Sequence, residues 1–372
     1  MNRLMTTFEP AGLLSLHTMA TSLTNEAVLK SLSRVQEPDL KRDLVTLKMI
    51  EDLNVSASGI QFTILLTTPA CPLKDQMEAD CKAVLKADFG AIPVTIGMRA
   101  RTLAQKTGRD LLPGVKNVVL VASGKGGVGK STVSANLAVA LAQTGAKVGL
   151  MDADIYGPSV PMMFGLQGQR PEMEGDKIIP ILKHGVKVLS IGLLIDEKQA
   201  IVWRGPMASN ALRQFFTDVS WGELDYLLID LPPGTGDIHL TLAQLLEVGG
   251  AVLVTTPQQV ALADARKAAA MFNMTSINIP MLGVIENMSW FTPLAHADER
   301  YYIFGKGGGR ALADEFGVEL LGQIPLVQGI AEAADQGQPV VLHEGNPSAH
   351  YYAQLAGSLA QQLSLRNAAL VV

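Results

Sequence analysis

From about Val115 onward the chain repeats one pattern. A short run of unbroken apolar residues ends in turn residues, and a helical stretch follows. The runs are Val118–Val121, Val148–Asp152, Val186–Ile191, Tyr226–Leu231, Ala251–Thr255, Leu282–Ile285 and Leu320–Ile324. Strands apolar at every position have both faces covered, and helices between them supply the cover. The pattern predicts an α/β fold, a doubly wound and mainly parallel sheet. Ligands of such sheets lie at the carboxyl ends of the strands. Before Val115 the order differs. Asn25–Ser33 reads as a helix, Val45–Val55 and Ile60–Thr67 as strands about the turn Ser58-Gly59, Pro72–Leu85 as a helix and Ile92–Met98 as a strand. That is a small α+β module. The expected layout is a disordered leader or over-extended start at 1–22 (Met19 an alternative initiator), the small domain at 23–103, a polar, turn-rich linker at 104–114, the large domain at 115–365 and a tail at 366–372.

Composition narrows the class. A formal charge of −5 over 372 residues gives no broad nucleic-acid footprint. Two cysteines, Cys71 and Cys81, exclude a disulfide framework and suit a reducing, cytoplasmic setting. No apolar run approaches the ~18 residues of a membrane span, so neither a membrane nor a nucleic acid is expected as partner.

The chemistry concentrates after the first core strand. Gly124-Lys125-Gly126-Gly127-Val128-Gly129-Lys130-Ser131 fits the phosphate-loop pattern, with Thr132 opening the helix behind it. Glycines let successive N–H groups converge on one spot at a helix N-terminus, where phosphate is favoured. Lys130 is expected to reach the β- and γ-phosphates of ATP, and the Ser131 hydroxyl to bind Mg²⁺. Lys125 is a second cation that such a loop does not need. It is either solvated or reaches a phosphate across a dimer interface, as an arginine finger does. Asp152 and Asp154 follow the second core strand. Asp154 can orient the attacking water and Asp152 can support the metal shell; an Asx-turn is the structural alternative. Leu227-Leu228-Ile229-Asp230 is a Walker-B pattern, whose aspartate holds Mg²⁺ through a water. In the loop beyond it, Gly234 can offer its N–H to a γ-phosphate, as a switch segment does. Asn287 has the amide needed to read an adenine edge, and Pro325 can line the base pocket. Gly305-Lys306-Gly307-Gly308-Gly309 imitates a phosphate loop but lacks its Gly-Lys-Ser ending, and reads as a flexible loop before the helix Arg310–Phe316.

The double-lysine loop resembles the deviant-loop ATPases, the group of MinD, ParA, ArsA and the nitrogenase iron protein. The resemblance implies that Lys125 acts in trans between two subunits and that Asp154 activates water. Residues 121–132, Asp-Ala-Asp-Ile-Tyr-Gly-Pro-Ser at 152–159, Trp203-Arg204-Gly205-Pro206, Asp-Leu-Pro-Pro-Gly-Thr-Gly-Asp at 230–237 and Glu-Asn-Met-Ser at 286–289 together resemble the Mrp/ApbC iron–sulfur cluster carrier ATPases. Thr68-Pro69-Ala70-Cys71-Pro72-Leu73 resembles the signature of the cluster-assembly domain fused to them. These likenesses imply a slow, Mg-dependent ATPase, a homodimer, and transfer of clusters from a scaffold to recipient apoproteins. One departure matters. Many relatives hold a cluster-bridging Cys-x-x-Cys pair after the Glu-Asn-Met-Ser stretch; here Trp290–Glu299 contains no cysteine. Iron–sulfur clusters are held mainly by thiolates. Cys81 falls in the stripe Leu73, Met77, Cys81, Leu85 and reads as core. Cys71 precedes Pro72 at an expected helix start, where a thiolate is favoured, so it is the candidate ligand of a labile [4Fe–4S] cluster; the alternative is an inert capping residue. A MinD/ParA-like positioning ATPase and a cluster-free ATP-dependent regulator are the competing functions.

Overall fold

The structure, a computed structural model, describes residues 23–102, 104, 111–195, 205–293, 296, 298–343 and 345–371. The expected leader, most of the expected linker and the Trp203-Arg204 pair lie outside the described residues. The chain forms two compact units: one holds the described residues up to Leu65 together with Asp75–Met98, the other holds Leu66–Lys74 and the described residues from Arg99.

In the smaller unit, strands Ile50–Ser56 and Gly59–Leu66 pair antiparallel, and Val94–Ala100 lies on the far side of the second. The expected strand start at Val45 fails. Asp43 Oδ1 accepts from the Thr46 N–H at 2.7 Å, and Lys48 turns through φ 55°, so 44–48 is a turn. Helices Asn25–Leu32 and Lys74–Phe89 bury Val28, Leu32, Met77, Cys81 and Leu85. Cys81 is fully enclosed as its helical stripe predicts, and burial pushes its thiol up to about 12 from 9.0. That leaves about a thousandfold less thiolate at neutral pH. Cys81 should therefore resist alkylation in the native protein and react only on unfolding, as mass spectrometry of native and denatured samples would read.

Among the described residues the larger unit has an eight-stranded sheet in the order Ile181–Lys183, Val186–Ser190, Val148–Asp152, Tyr226–Asp230, Val118–Ala122, Gly250–Thr255, Met281–Glu286, Leu320–Gln323. All neighbours pair parallel except the antiparallel edge strand Ile181–Lys183. All seven strands expected from the apolar runs are present. Alternation inside them is real but hidden, because both faces are apolar. Val119 and Val121 pack towards helices Lys130–Gln143 and Pro347–Val371, while Val118, Leu120 and Ala122 pack with Leu212, Leu242, Ala265 and Phe272 on the other face. Each such buried Val, Leu or Phe side chain contributes about 1.5–3 kcal/mol. The expected tail is a correction: the last helix continues to Val371, and buried Asn367 donates to Asn117 Oδ1 at 2.8 Å. The winding reverses at Val118–Ala122, which lies between later strands on both sides. That is the topological switch point, where a ligand crevice forms.

Candidate nucleotide site

The glycine loop occupies that crevice. Gly127 and Gly129 both have φ +81°, a left-handed conformation that side chains resist. A Cβ on Gly129 would meet Asn287 Nδ2 at 2.3 Å, and one on Gly124 would meet the Asp264 backbone at 2.2 Å. The helix starts at Lys130, directly behind the loop, with Thr132 in its first turn.

Parallel register brings the acidic residues to the same end. Asp230 lies beside Asp152 on one side and Val121 on the other. Both carboxylates are fully buried. Lys130 is only 6% exposed, and its Nζ lies 2.8 Å from Asp230 Oδ2 and 3.2 Å from Ser131 Oγ. Thus Lys130 rests on the Walker-B carboxylate. Ser131 Oγ donates to Asp230 Oδ2 at 2.6 Å, and Ser134 Oγ to Asp230 Oδ1 at 2.5 Å. Burial, reinforced by the neighbouring Asp230 charge, pushes Asp152 up to about 7; the Ser190 hydrogen bond and Lys130 oppose the rise. Asp154 is also raised, by burial first, with Lys130 opposing.

Several expected roles change. Asp152 does not offer its oxygens to a metal shell: Oδ1 accepts from the Asp154 N–H at 3.1 Å, and Oδ2 from the Val160 N–H at 3.2 Å and Ser190 Oγ at 3.0 Å. It anchors the loop that carries Asp154. Asp154 Oδ1 itself accepts from the Tyr156 and Gly157 N–H groups at 3.3 Å, the Asx-turn arrangement. Gly234 does not present its N–H outward, because it donates to the Ser123 carbonyl at 2.9 Å. Asn287 Nδ2 donates to the Val128 carbonyl at 2.8 Å, so one of its two amide N–H groups braces the glycine loop. Pro325 is buried just past the edge strand, where Ile324 bridges Glu286 and Ser289 by backbone hydrogen bonds. Lys125 is exposed, as are Gly126 and Gly127. Gly308 and Gly309 start the helix Gly308–Phe316, and the Gly309 N–H donates to buried Glu286 Oε2 at 2.5 Å. That helix end already holds a carboxylate, so the imitation loop is no phosphate site.

Two supporting residues are not marked by any sequence motif, and the role of a third, His239, is not either. Ser134 and Ser190 hold the two aspartates. Ser134 sits one turn beyond Lys130, a buried hydroxyl on the same helix face, and that spacing was the available signal. His239, just after the switch loop, is buried with no partner for Nε2 among the described residues, and burial pushes it down to about 4.

The Cys71 loop is a further correction. The helix begins at Lys74, not Pro72, and Cys71 is buried at 8% exposed. The loop belongs to the larger unit. Thr68 Oγ1 and Tyr226 Oη lie 2.7 Å apart, Ala70 joins the core beside Tyr352 and Leu355, and a Cβ on Gly357 would touch Pro72 at 3.5 Å. In the cysteine-free segment, Phe291 and Tyr301 exchange backbone hydrogen bonds at 2.8 Å, and Arg300 stacks 4.4 Å over the Trp290 ring. No helix among the described residues is long and apolar enough to cross a membrane.

Residues 114–360 match the family described as NUBPL iron-transfer P-loop NTPase. The chain belongs to this family. Residues 25–94 match a second family, described as iron-sulfur cluster assembly protein. An iron-sulfur cluster carrier protein of Synechocystis sp. is 46% identical over 94% of this chain and 100% of its own length. One of Deinococcus radiodurans is 50% identical over 92% of this chain and 96% of its own. A solved nucleotide-binding protein of Archaeoglobus fulgidus, in complex with ADP, is 39% identical and superposes with a TM-score of 0.56, covering 66% of this chain and 96% of that one. Membership in the P-loop NTPases accords with the loop, the Walker-B carboxylate and the parallel sheet described above.

Proposed function

We propose that this protein is a slow Mg-ATP hydrolase whose nucleotide cycle loads iron–sulfur clusters and hands them to apoproteins. The observation that carries the reading is the Lys130–Asp230–Ser131 cluster, built on a buried lysine and carboxylate under a left-handed glycine loop, in a chain akin to cluster carriers over nearly its whole length. One hydroxyl and one carboxylate within 2.6 Å suit Mg²⁺, which takes few protein oxygens and keeps its waters. Ser131 and Asp230 would hold it, and the ion would neutralise charge on the β- and γ-phosphates.

The remaining work falls to this chain's own groups. Lys130 exchanges its Asp230 contact for phosphate oxygens. Asp154, half-buried, orients the water that attacks the γ-phosphorus as the bond to the ADP oxygen breaks. Thr132 supports the loop's helix end, Asn287 braces it, and the Asn287 amide and Pro325 would contact the base. Gly234 holds the switch segment on Ser123. Exposed Lys125 suits action in trans within a two-fold homodimer. Cargo handling is assigned to Cys71, with a labile cluster passed between scaffold and recipient proteins. The setting proposed is the cytoplasm.

Lys125→Ala tests the dimer. It should lower kcat by about 10²–10³-fold with little change in ATP affinity, because a trans cation acts on transition-state charge. Turnover per chain in the native protein should rise with protein concentration. Native turnover in Lys125→Ala, unaffected by dilution, would remove the trans lysine from the scheme.

A further inference from the structure

Asp154 stands on a loop whose placement is set by contacts outside the nucleotide motifs. The strand Val186–Ser190 runs parallel to Val148–Asp152, and the register puts Ser190 beside Asp152 at the strand ends. Ser190 is fully buried. Its hydroxyl donates to Asp152 Oδ2 at 3.0 Å and accepts from the Gly192 N–H at 3.1 Å, so both of its hydrogen-bonding roles are directed. The carboxylate it holds receives the Asp154 N–H on one oxygen and the Val160 N–H on the other. Asp152 thus fastens both ends of the segment 154–160. A second contact acts on the same segment. A Cβ on Gly192 would lie 3.1 Å from Pro158 Cγ, 3.2 Å from Pro158 Cβ and 3.4 Å from Pro161 Cγ. The 3₁₀ turn Ile191–Leu193 that Ser190 caps is the surface on which the Asp154 loop lies.

We propose that Ser190 is a positioning residue for ATP hydrolysis: through Asp152, and with Gly192 as seat, it sets where Asp154 stands relative to the glycine loop. Ser190 touches no phosphate motif directly. Its hydroxyl fixes the rotation of the Asp152 carboxylate, and that carboxylate fixes the two backbone N–H groups bracketing the loop. Without the hydroxyl, Asp152 keeps its backbone partners but loses the group that aims Oδ2. A loop displaced by about 1 Å costs a reaction on the order of 10²-fold when it carries a positioning group. Lys130 and Ser131 rest on Asp230, which Ser134 also holds, and Asn287 braces the glycine loop, so nucleotide affinity does not depend on the Ser190 contact.

The inference rests on the proposed ATPase reading, and the experiment separates the two. Steady-state Mg-ATP hydrolysis is measured on the full-length protein, on Ser190→Ala, Ser190→Thr and Gly192→Ala, and on Lys130→Ala as the blank. Ser190→Ala should lose about 10- to 100-fold in kcat while KM for ATP stays within about threefold. Ser190→Thr, which keeps the hydroxyl, should recover most of the loss. Gly192→Ala should lower kcat in the same KM-neutral way by pushing on Pro158. Should Ser190→Ala not fold, the Gly192→Ala split decides. Unchanged kcat in folded Ser190→Ala, or losses carried by KM and by melting temperature together, would overturn the positioning role. A native protein no faster than Lys130→Ala would instead overturn the ATPase reading itself.

Discussion

Lys130→Ala should abolish ATP binding and destabilise the fold at neutral pH. The binding loss should reach at least about 100-fold, since charge-assisted hydrogen bonds to phosphate contribute about 1.5–3 kcal/mol each and Lys130 is placed to make more than one. The stability loss has a separate origin. Lys130 Nζ lies 2.8 Å from Asp230, which stands beside Asp152, and both carboxylates are fully buried. Removing this buried cation leaves charge without compensation, a change that costs about 3–5 kcal/mol. The sign with pH follows. Asp152 is already raised to about 7 from 3.8, and loss of Lys130 raises it further. A carboxyl whose folded pKa lies above its unfolded value weakens the fold as pH climbs from the unfolded value through the folded one. The melting deficit of Lys130→Ala should therefore be smallest in acid and widen as pH rises through about 7, where native Asp152 completes its ionisation and the variant's does so only at higher pH. Calorimetric titration with ATP and thermal melts from acid to pH 8 check both halves. Native-like ATP affinity in the variant would move the nucleotide site elsewhere, and a deficit larger in acid than at pH 8 would contradict the buried-pair account.

Much of this was open to reading in the sequence, and the failures have a common cause. The core strands were legible because burial on both faces requires unbroken apolar runs, and boundaries differ by about one residue. The edge strand Ile181–Lys183 and the hairpin Glu172–Glu174 with Lys177–Ile179 are short, partly exposed and mixed in character, so no period marks them. The phosphate loop was legible because its chemistry is local: glycine conformation, helix N-terminus and lysine all lie within eight residues. The supporting roles were not. Asp152, Gly234 and Asn287 each sit where expected, yet each gives its polar groups to a partner distant in sequence or on another strand, namely Ser190, Ser123 and Val128. Sequence spacing places a carboxylate at a strand end; it does not say which neighbour's N–H or O–H will point at it. The start of the helix after Cys71 was misplaced for a similar reason. Thr68 Oγ1 accepts from the Ala70 N–H at 3.2 Å while pairing with Tyr226, and that tertiary contact holds 68–73 as a loop where the helix pattern would extend.

Cys71→Ser should remove any cluster from the full-length protein. From Val115 to the end the sequence contains no cysteine, so the ATPase portion supplies no thiolate of its own. Histidines and carboxylates are poor replacements for four thiolates. Cys81 is enclosed and its thiol is pushed up to about 12, which keeps it protonated. Cys71 is what is left, one thiolate per chain and two in the proposed dimer, and the proposal has a scaffold protein or a small thiol supply the remaining ligands. Its burial adds a condition. The loop is held by the Thr68–Tyr226 hydrogen bond and by Ala70 in the core, so it must open before Cys71 can reach iron. A cluster bound at that cost is weakly held and readily passed on, as a carrier requires. Anaerobic reconstitution followed by iron and sulfide analysis provides the measurement. Native protein should take up a labile cluster, Cys71→Ser should fall to background, and Cys81→Ser should keep its iron while losing about 1–3 kcal/mol of stability from a disturbed core. Iron retained in full by Cys71→Ser would defeat this ligand assignment. Native protein that takes up no iron with a cluster-loaded scaffold present would favour the cluster-free regulator, in which the switch around Asp154 acts on a partner protein alone.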